Sequence, residues 1–319
     1  MASTMVRAAS AQDAADRLIS RNDLLFAASL PVLMPLAWLT PAGAKQRLSR
    51  LIASIVASLR AGSAQKAAEA YAAPFGLADT REFFIAAQSE FQLERLNLFA
   101  LHSPLCALPE TRLTGIEHLS KALASGRGAL LWVVATAHSR TETKLSLFRE
   151  GFRTHHLSRS FHGFSRTRFG KAFLNPIRTR IEQRFLASRV VIEDGQVAEA
   201  LAELARRLAA NEIVSITMGT EARRLAHTPF LAGRLSLATR PMALAHQTGA
   251  AILPVVTTRN ADGVFTTAIG RPLTLPKDSS CDEDDARALS ALAEFLKPHV
   301  LAFPAQFARA EIFGPAEGS

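Results

Sequence analysis

The chain has 319 residues, 48% of them hydrophobic and 20% charged, which excludes a disordered, collagen-like or coiled-coil protein and implies a large folded core. Its length allows two ordinary domains or one larger α/β domain with an appended segment, and a chain without an obvious linker suits the second. Lys and Arg outnumber Asp and Glu by 37 to 28, a net charge of +9, which points to an anionic partner: nucleic acid, a phosphorylated ligand or a membrane surface.

Residues Leu24 to Leu39 form a charge-free apolar run of sixteen, shorter than the ~20 residues that span a bilayer and interrupted by Pro31 and Pro35. It is not expected to cross a membrane alone. A buried core helix and an interfacial anchor with Trp38 at headgroup level both fit. Ala42-Gly43-Ala44 resembles a signal-peptide cleavage site, but the long preceding segment with Asp13, Asp16 and Asp23 argues against removal. Ala42–Arg60 and Thr80–Leu101 carry apolar residues at helical spacing, with Leu48, Leu51, Ile52, Ile55 and Leu59 on one stripe. This third reads as helical and without chemistry of its own. Cys106 and Cys281 match neither a disulfide framework nor a metal spacing, so a reducing compartment is the default.

From about residue 112 the pattern changes, dividing the chain into a helical segment over 1–111 and an α/β domain over 112–319. Short apolar runs at Ala129–Ala135, Arg189–Glu193, Ile213–Thr217, Ala251–Thr257 and Val264–Ile269 read as strands. Helices fit at Ser139–Arg149, Ser165–Phe185, Val197–Ala210 and Leu235–Thr248. Strands apolar on both faces and joined by crossover helices predict a mostly parallel sheet flanked by helices. In such sheets the chemistry lies beyond the strand carboxyl ends.

Past the first strand stand His138 and, four residues on, Glu142. A histidine held by a carboxylate is the minimal general-base pair for a hydroxyl. The same spacing also fits a solvated pair on a helix surface. No Ser or Cys nucleophile elbow accompanies it, so direct transfer to a hydroxyl fits better than a covalent intermediate. After a later strand comes Gly219-Thr220-Glu221-Ala222-Arg223-Arg224, which suits either phosphate binding or an ordinary charged turn.

Arg149 to Arg189 holds ten Arg and Lys against two Glu. Within it Phe169, Phe173, Ile177, Ile181 and Phe185 recur every four residues, with Arg166, Lys171, Arg178 and Arg184 between them. This reads as a basic amphipathic helix with a kink at Pro176; packing with a solvated basic face, contact with anionic lipid and grip on a phosphorylated ligand all fit. Nucleic acid is disfavoured, because no zinc-finger spacing or RNA-recognition motif is present. The acids from Asp278 to Asp285 suit a helix amino terminus rather than a metal, lacking an EF-hand glycine. Phe303, Phe307 and Phe313 fit either core packing or membrane contact.

In their order these pieces resemble the lysophospholipid acyltransferase superfamily, most closely its lipid A biosynthesis (lauroyl/myristoyl) branch, over roughly residues 24–310. The matching positions are the apolar segment Leu24–Leu39, His138, Arg159 in Leu157-Ser158-Arg159, Gly219 to Glu221, Pro229-Phe230-Leu231-Ala232-Gly233 and the run from Thr248 to Val255. The resemblance implies a glycerolipid acyltransferase-like fold with a membrane-associating amino-terminal segment. It further implies acyl transfer from acyl-ACP or acyl-CoA to a hydroxyl of a lipid or glycolipid, at the cytoplasmic face of the inner membrane, as a peripheral or monotopic protein without a metal or redox cofactor. By analogy His138 is the base, Glu142 the carboxylate that orients it, and Arg159, Gly219, Thr220, Glu221 and Arg223 bind substrate. In the family the acid stands five residues after the histidine, where this chain has Thr143. A catalytically inactive descendant that binds lipid or acyl carrier is the alternative.

Overall fold

The computed structural model describes residues 17–59, 61–193, 196–222, 224–274 and 282–315, with only the backbone described at 61–64, 71 and 282–284. Arg223, Asp278 and Cys281 lie outside the described residues. The amino-terminal portion is helical: α1 (Arg21–Leu39), α2 (Ala42–Leu59), α3 (Ala61–Ala72) and α4 (Thr80–Ala100). Ser20 caps α1 in a reciprocal box with Asp23, and the Asp23 carboxylate also accepts a 2.7 Å bond from the Thr167 hydroxyl. The start of α1 is thereby tied to the α/β portion.

Helix α2 turns its small residues Ser49, Ala53 and Ala57 inward, whereas Leu51, Ile55 and Leu59 from the apolar stripe are exposed. Leu24, Leu25, Val32 and Leu39 of α1 are exposed as well. By length and composition α1 alone among the described helices could cross a membrane. The Trp38 indole N–H donates to the Phe99 carbonyl at 2.9 Å, so its polar end is committed to α4.

The α/β portion follows as β1 (Thr111–Thr114), α5 (Ile116–Ala124), β2 (Ala129–Val133), α6 (Glu142–Arg149), β3 (His155–Arg159), α7 (Asn175–Gln183), β4 (Ser188–Ile192), α8 (Val197–Ala209) and β5 (Ile213–Thr217). After these come β6 (Leu225–Phe230), β7 (Gly233–Ala238), α9 (Arg240–Thr248), β8 (Ala251–Arg259), β9 (Phe265–Ile269), α10 (Asp282–Ala302), the short α11 (Pro304–Phe307) and β10 (Phe313–Pro315). Seven strands form one sheet in the order β1-β9-β8-β2-β5-β3-β4, parallel throughout except for the antiparallel β8/β9 pair. The mostly parallel, helix-flanked sheet expected from the sequence is therefore present. A second, antiparallel sheet joins β10, β7 and β6.

Both faces of the main sheet are covered, which is why its central strands are continuously apolar. Leu130 and Trp132 of β2 pack with Leu204 of α8, Met242 of α9 and Leu292 of α10. Leu131 and Val133 point to the other face, against Leu119 of α5 and Leu147 of α6. Gly128 feeds β2 at φ +70°, and a Cβ there would meet the carbonyl oxygens of Glu212 and Leu208 at 2.7 Å. Phe307 is fully buried in the core and meets Phe313 edge-on, and Phe303 and Phe313 pack against the same core, so these aromatics pack inward.

Three expected elements differ. Leu235–Thr248 is not one helix: Gly233–Ala238 pairs with Leu225–Phe230 as a hairpin, and Leu235 and Leu237, alternating with Arg234 and Ser236, follow strand periodicity. The helix after β2 begins at Glu142 rather than Ser139. Ser165–Phe185 is a π turn at Gly170–Leu174 followed by α7. Pro176 occupies the first turn of α7, where its missing N–H costs nothing. Phe173 is exposed while Arg178 is buried, the reverse of the expected apolar and basic faces.

Candidate active site

Strands β2, β5, β3 and β4 run parallel, and their carboxyl ends open onto a cavity of about 840 Å³. Its walls combine apolar residues such as Val133, Leu157, Ile192, Leu201 and Met218 with a cationic set comprising Arg140, Lys144, Arg159, Arg166 and Arg240. The volume lies within the ~300–1,000 Å³ typical of small-molecule sites.

The loop after β2 is fixed before it reaches the cavity. The Val134 and Ala137 N–H groups donate to Val255 and Gln306 carbonyls, each at 2.8 Å. The Thr136 hydroxyl donates to the Thr257 carbonyl at 2.7 Å. His138 follows on this loop and is fully buried, its ring edge-on to Phe265 with centroids 5.0 Å apart. Its Nε2 lies 2.7 Å from the Glu90 carboxylate of α4, and its Nδ1 is buried without a hydrogen-bond partner among the described residues. Ser139, Arg140 and Thr143 line the cavity, but His138 and Glu142 do not.

The carboxylate bonded to His138 is thus Glu90, from the segment read as devoid of chemistry. Glu142 opens α6, is buried, and has no hydrogen-bond partner at Oε2 among the described residues. Burial pushes its carboxyl up to about 7, against the opposing pull of His138. Thr143, at the position of the expected acid, shares its hydroxyl with Thr257 at 2.6 Å, and Thr257 continues to Thr267 at 2.9 Å. That chain is neutral and buried.

A carboxyl protonated more readily in the folded chain than at its ordinary value of 4.5 favours folding at low pH and loses that contribution as pH rises to about 7. Glu142→Gln removes the charge at similar size. It is expected to raise stability by up to about 3 kcal/mol above pH 7 and to leave it unchanged below pH 4.5. Denaturation midpoints at pH 4.5 and pH 8 check this; a gain equal at both pH values contradicts it.

Behind the cavity lies a buried ionic network. Arg178 of α7 holds Glu94 of α4 through two bonds of 2.5 and 3.0 Å. Glu182 accepts from Lys144 at 2.5 Å and lies 3.0 Å from His162 Nε2. Burial acts to raise both carboxyls, yet Arg178 keeps Glu94 below, and Lys144 keeps Glu182 well below, the usual range. Burial, reinforced by the Lys144 charge, keeps His156 well below its ordinary value and therefore neutral.

Of the expected substrate-binding residues, Arg159, Gly219 and Glu221 line the cavity, and Arg159 and Glu221 form an ion pair across its mouth. Thr220 sits in the same turn but is not part of the wall. Arg140, which the sequence did not single out, reaches the cavity with no hydrogen bond or ion pair to its guanidinium among the described residues. A legible signal for the missed carboxylates did exist: Glu90 and Glu94 stand four apart on one face of a helix whose neighbours Phe83, Phe84, Leu93 and Leu96 are buried.

A search of curated proteins found no match. The family model described as bacterial lipid A biosynthesis acyltransferase matches residues 107–309, more than half of the chain, from just before β1 to just past α11. The sheet, the histidine loop after β2 and the cavity-lining strand ends all lie inside that match, and the chain therefore belongs to the bacterial lipid A biosynthesis acyltransferase family.

Proposed function

We propose that this protein is an O-acyltransferase that moves a fatty acyl group from acyl-ACP or acyl-CoA to a hydroxyl of a lipid or glycolipid. The observation that carries this reading is the cavity at the strand ends: apolar walls for an acyl chain, the Arg140 guanidinium on its lining for an anionic group, and the His138 loop along its border. His138 takes the proton of the acceptor hydroxyl, whose oxygen attacks the thioester carbonyl. The tetrahedral intermediate then collapses, the C–S bond breaks, and the imidazolium returns its proton to the departing thiolate. No metal or redox cofactor is needed for this transfer. Because the ring is buried, a movement of residues 138–141, beyond the bonds that hold Val134 to Ala137, that opens Nδ1 to the cavity is part of the proposal.

Arg140, Arg159 and Glu221 are assigned to substrate binding, with Gly219 and Thr220 shaping the turn. The exposed apolar residues of α1 and α2 support seating on a membrane surface, at the cytoplasmic face of the inner membrane where acyl thioesters are available. A second reading, a non-catalytic binder of lipid or acyl carrier, is favoured by the closed His138 and by Thr143 in the position of the acid. The test is thioester consumption by the full chain in mixed micelles containing bacterial lipid extract, for wild type and Arg140→Glu. The expected result is turnover with donor KM raised at least about tenfold in the variant, the equivalent of one charged contact. No turnover with either donor supports the binder.

A further inference from the structure

We infer that Glu90, on α4, is the positioning residue for His138: its carboxylate accepts the Nε2–H and leaves Nδ1 as the atom that receives the proton of the acceptor hydroxyl. This rests on the reading of His138 as general base and deepens it. The 2.7 Å contact is direct, and the other ring nitrogen is buried with no hydrogen-bond partner among the described residues. A carboxylate on one ring nitrogen selects the tautomer, holds the ring plane and stabilises the imidazolium that forms.

The competing candidates do less well. Thr143 is neutral and committed to Thr257. Glu142 is not bonded to the ring, and a carboxyl pushed up to about 7 is only partly ionised near neutrality. Among the described residues, Glu90 of α4 bonds the ring, Glu94 of α4 and Glu142 of α6 interact with it electrostatically, and Phe265 of β9 closes another side. Glu94 is occupied by both nitrogens of the Arg178 fork. Glu90 remains as the carboxylate in hydrogen-bond contact.

Residue 90 lies outside the matched segment 107–309. Helix α4 is also the element against which α1 packs, through Ala37, Leu96 and Phe99. The dyad is thus split between the α/β portion and the amino-terminal helices, so the site is incomplete without them.

The experiment compares kcat and KM of acyl transfer for the full-length wild type, Glu90→Gln, Glu90→Asp and His138→Ala. Glu90→Gln is expected to lower kcat by about 10²–10⁴ with KM little changed. Glu90→Asp restores part of the rate. A Glu90→Gln kcat within about threefold of wild type, alongside a dead His138→Ala, overturns the role of Glu90 alone. Turnover retained in His138→Ala overturns the base assignment and Glu90 with it. ¹⁵N-histidine NMR of the wild type at pH 8 is an independent readout: the Nε2–H tautomer is expected at His138, and Nδ1–H contradicts the inference.

Discussion

Arg178→Met is expected to lower folding stability by about 3–5 kcal/mol, because it leaves a buried carboxylate without its counter-charge. Arg178 is buried, donates two hydrogen bonds to Glu94, lies 3.8 Å from Glu182, and stacks over Phe164 at 5.0 Å. Methionine keeps much of the packing and removes the charge, so the loss reports the stranded Glu94. The control is the double variant Arg178→Met/Glu94→Leu, which removes both charges and is expected to recover most of the loss. Urea midpoints of the three proteins test this; a single variant within about 1 kcal/mol of wild type contradicts the account. Since Glu94 and Glu90 share α4, the pair also secures the helix that carries the histidine's partner.

The second large effect is catalytic. His138→Ala is expected to reduce acyl-transfer kcat by about 10²–10⁴ while leaving the fold intact. The reason for tolerance is local: the loop is held by Val255, Thr257 and Gln306 through bonds that do not involve the ring. The released Glu90 carboxylate is partly open to solvent and can be hydrated. Kinetics together with far-UV circular dichroism separate the two effects. An unfolded variant would instead assign His138 a chiefly structural role.

What was legible in the sequence follows from how each element is buried. Strands β2 and β5 could be read almost to the residue because both of their faces are covered, which leaves an uninterrupted apolar run. Strand β3 could not, since His156 and Ser158 face the cavity and break the pattern. The hairpin of β6 and β7 was hidden because Leu235 and Leu237 precede a genuine helix and extend its apolar content backwards. In the sequence Arg178 reads as part of an exposed basic face, open to solvent, lipid or a phosphorylated ligand, because its partner is 84 residues away, a separation no periodicity reveals. For the same reason His138 and the 219–221 turn were found from their places after strands, whereas Glu90, 48 residues from the histidine, was not. Local spacing favoured Glu142, but placing it first in α6 buries its carboxylate without a hydrogen bond to the ring.

The most direct test of acyl transfer at His138 is lipid mass spectrometry on cells expressing wild type and His138→Ala at equal protein levels. A lipid or glycolipid species heavier by one acyl chain is expected in the wild-type cells and absent from the variant, its mass giving both acceptor and chain length. The same acylated species at equal abundance in both would contradict acyl transfer at His138.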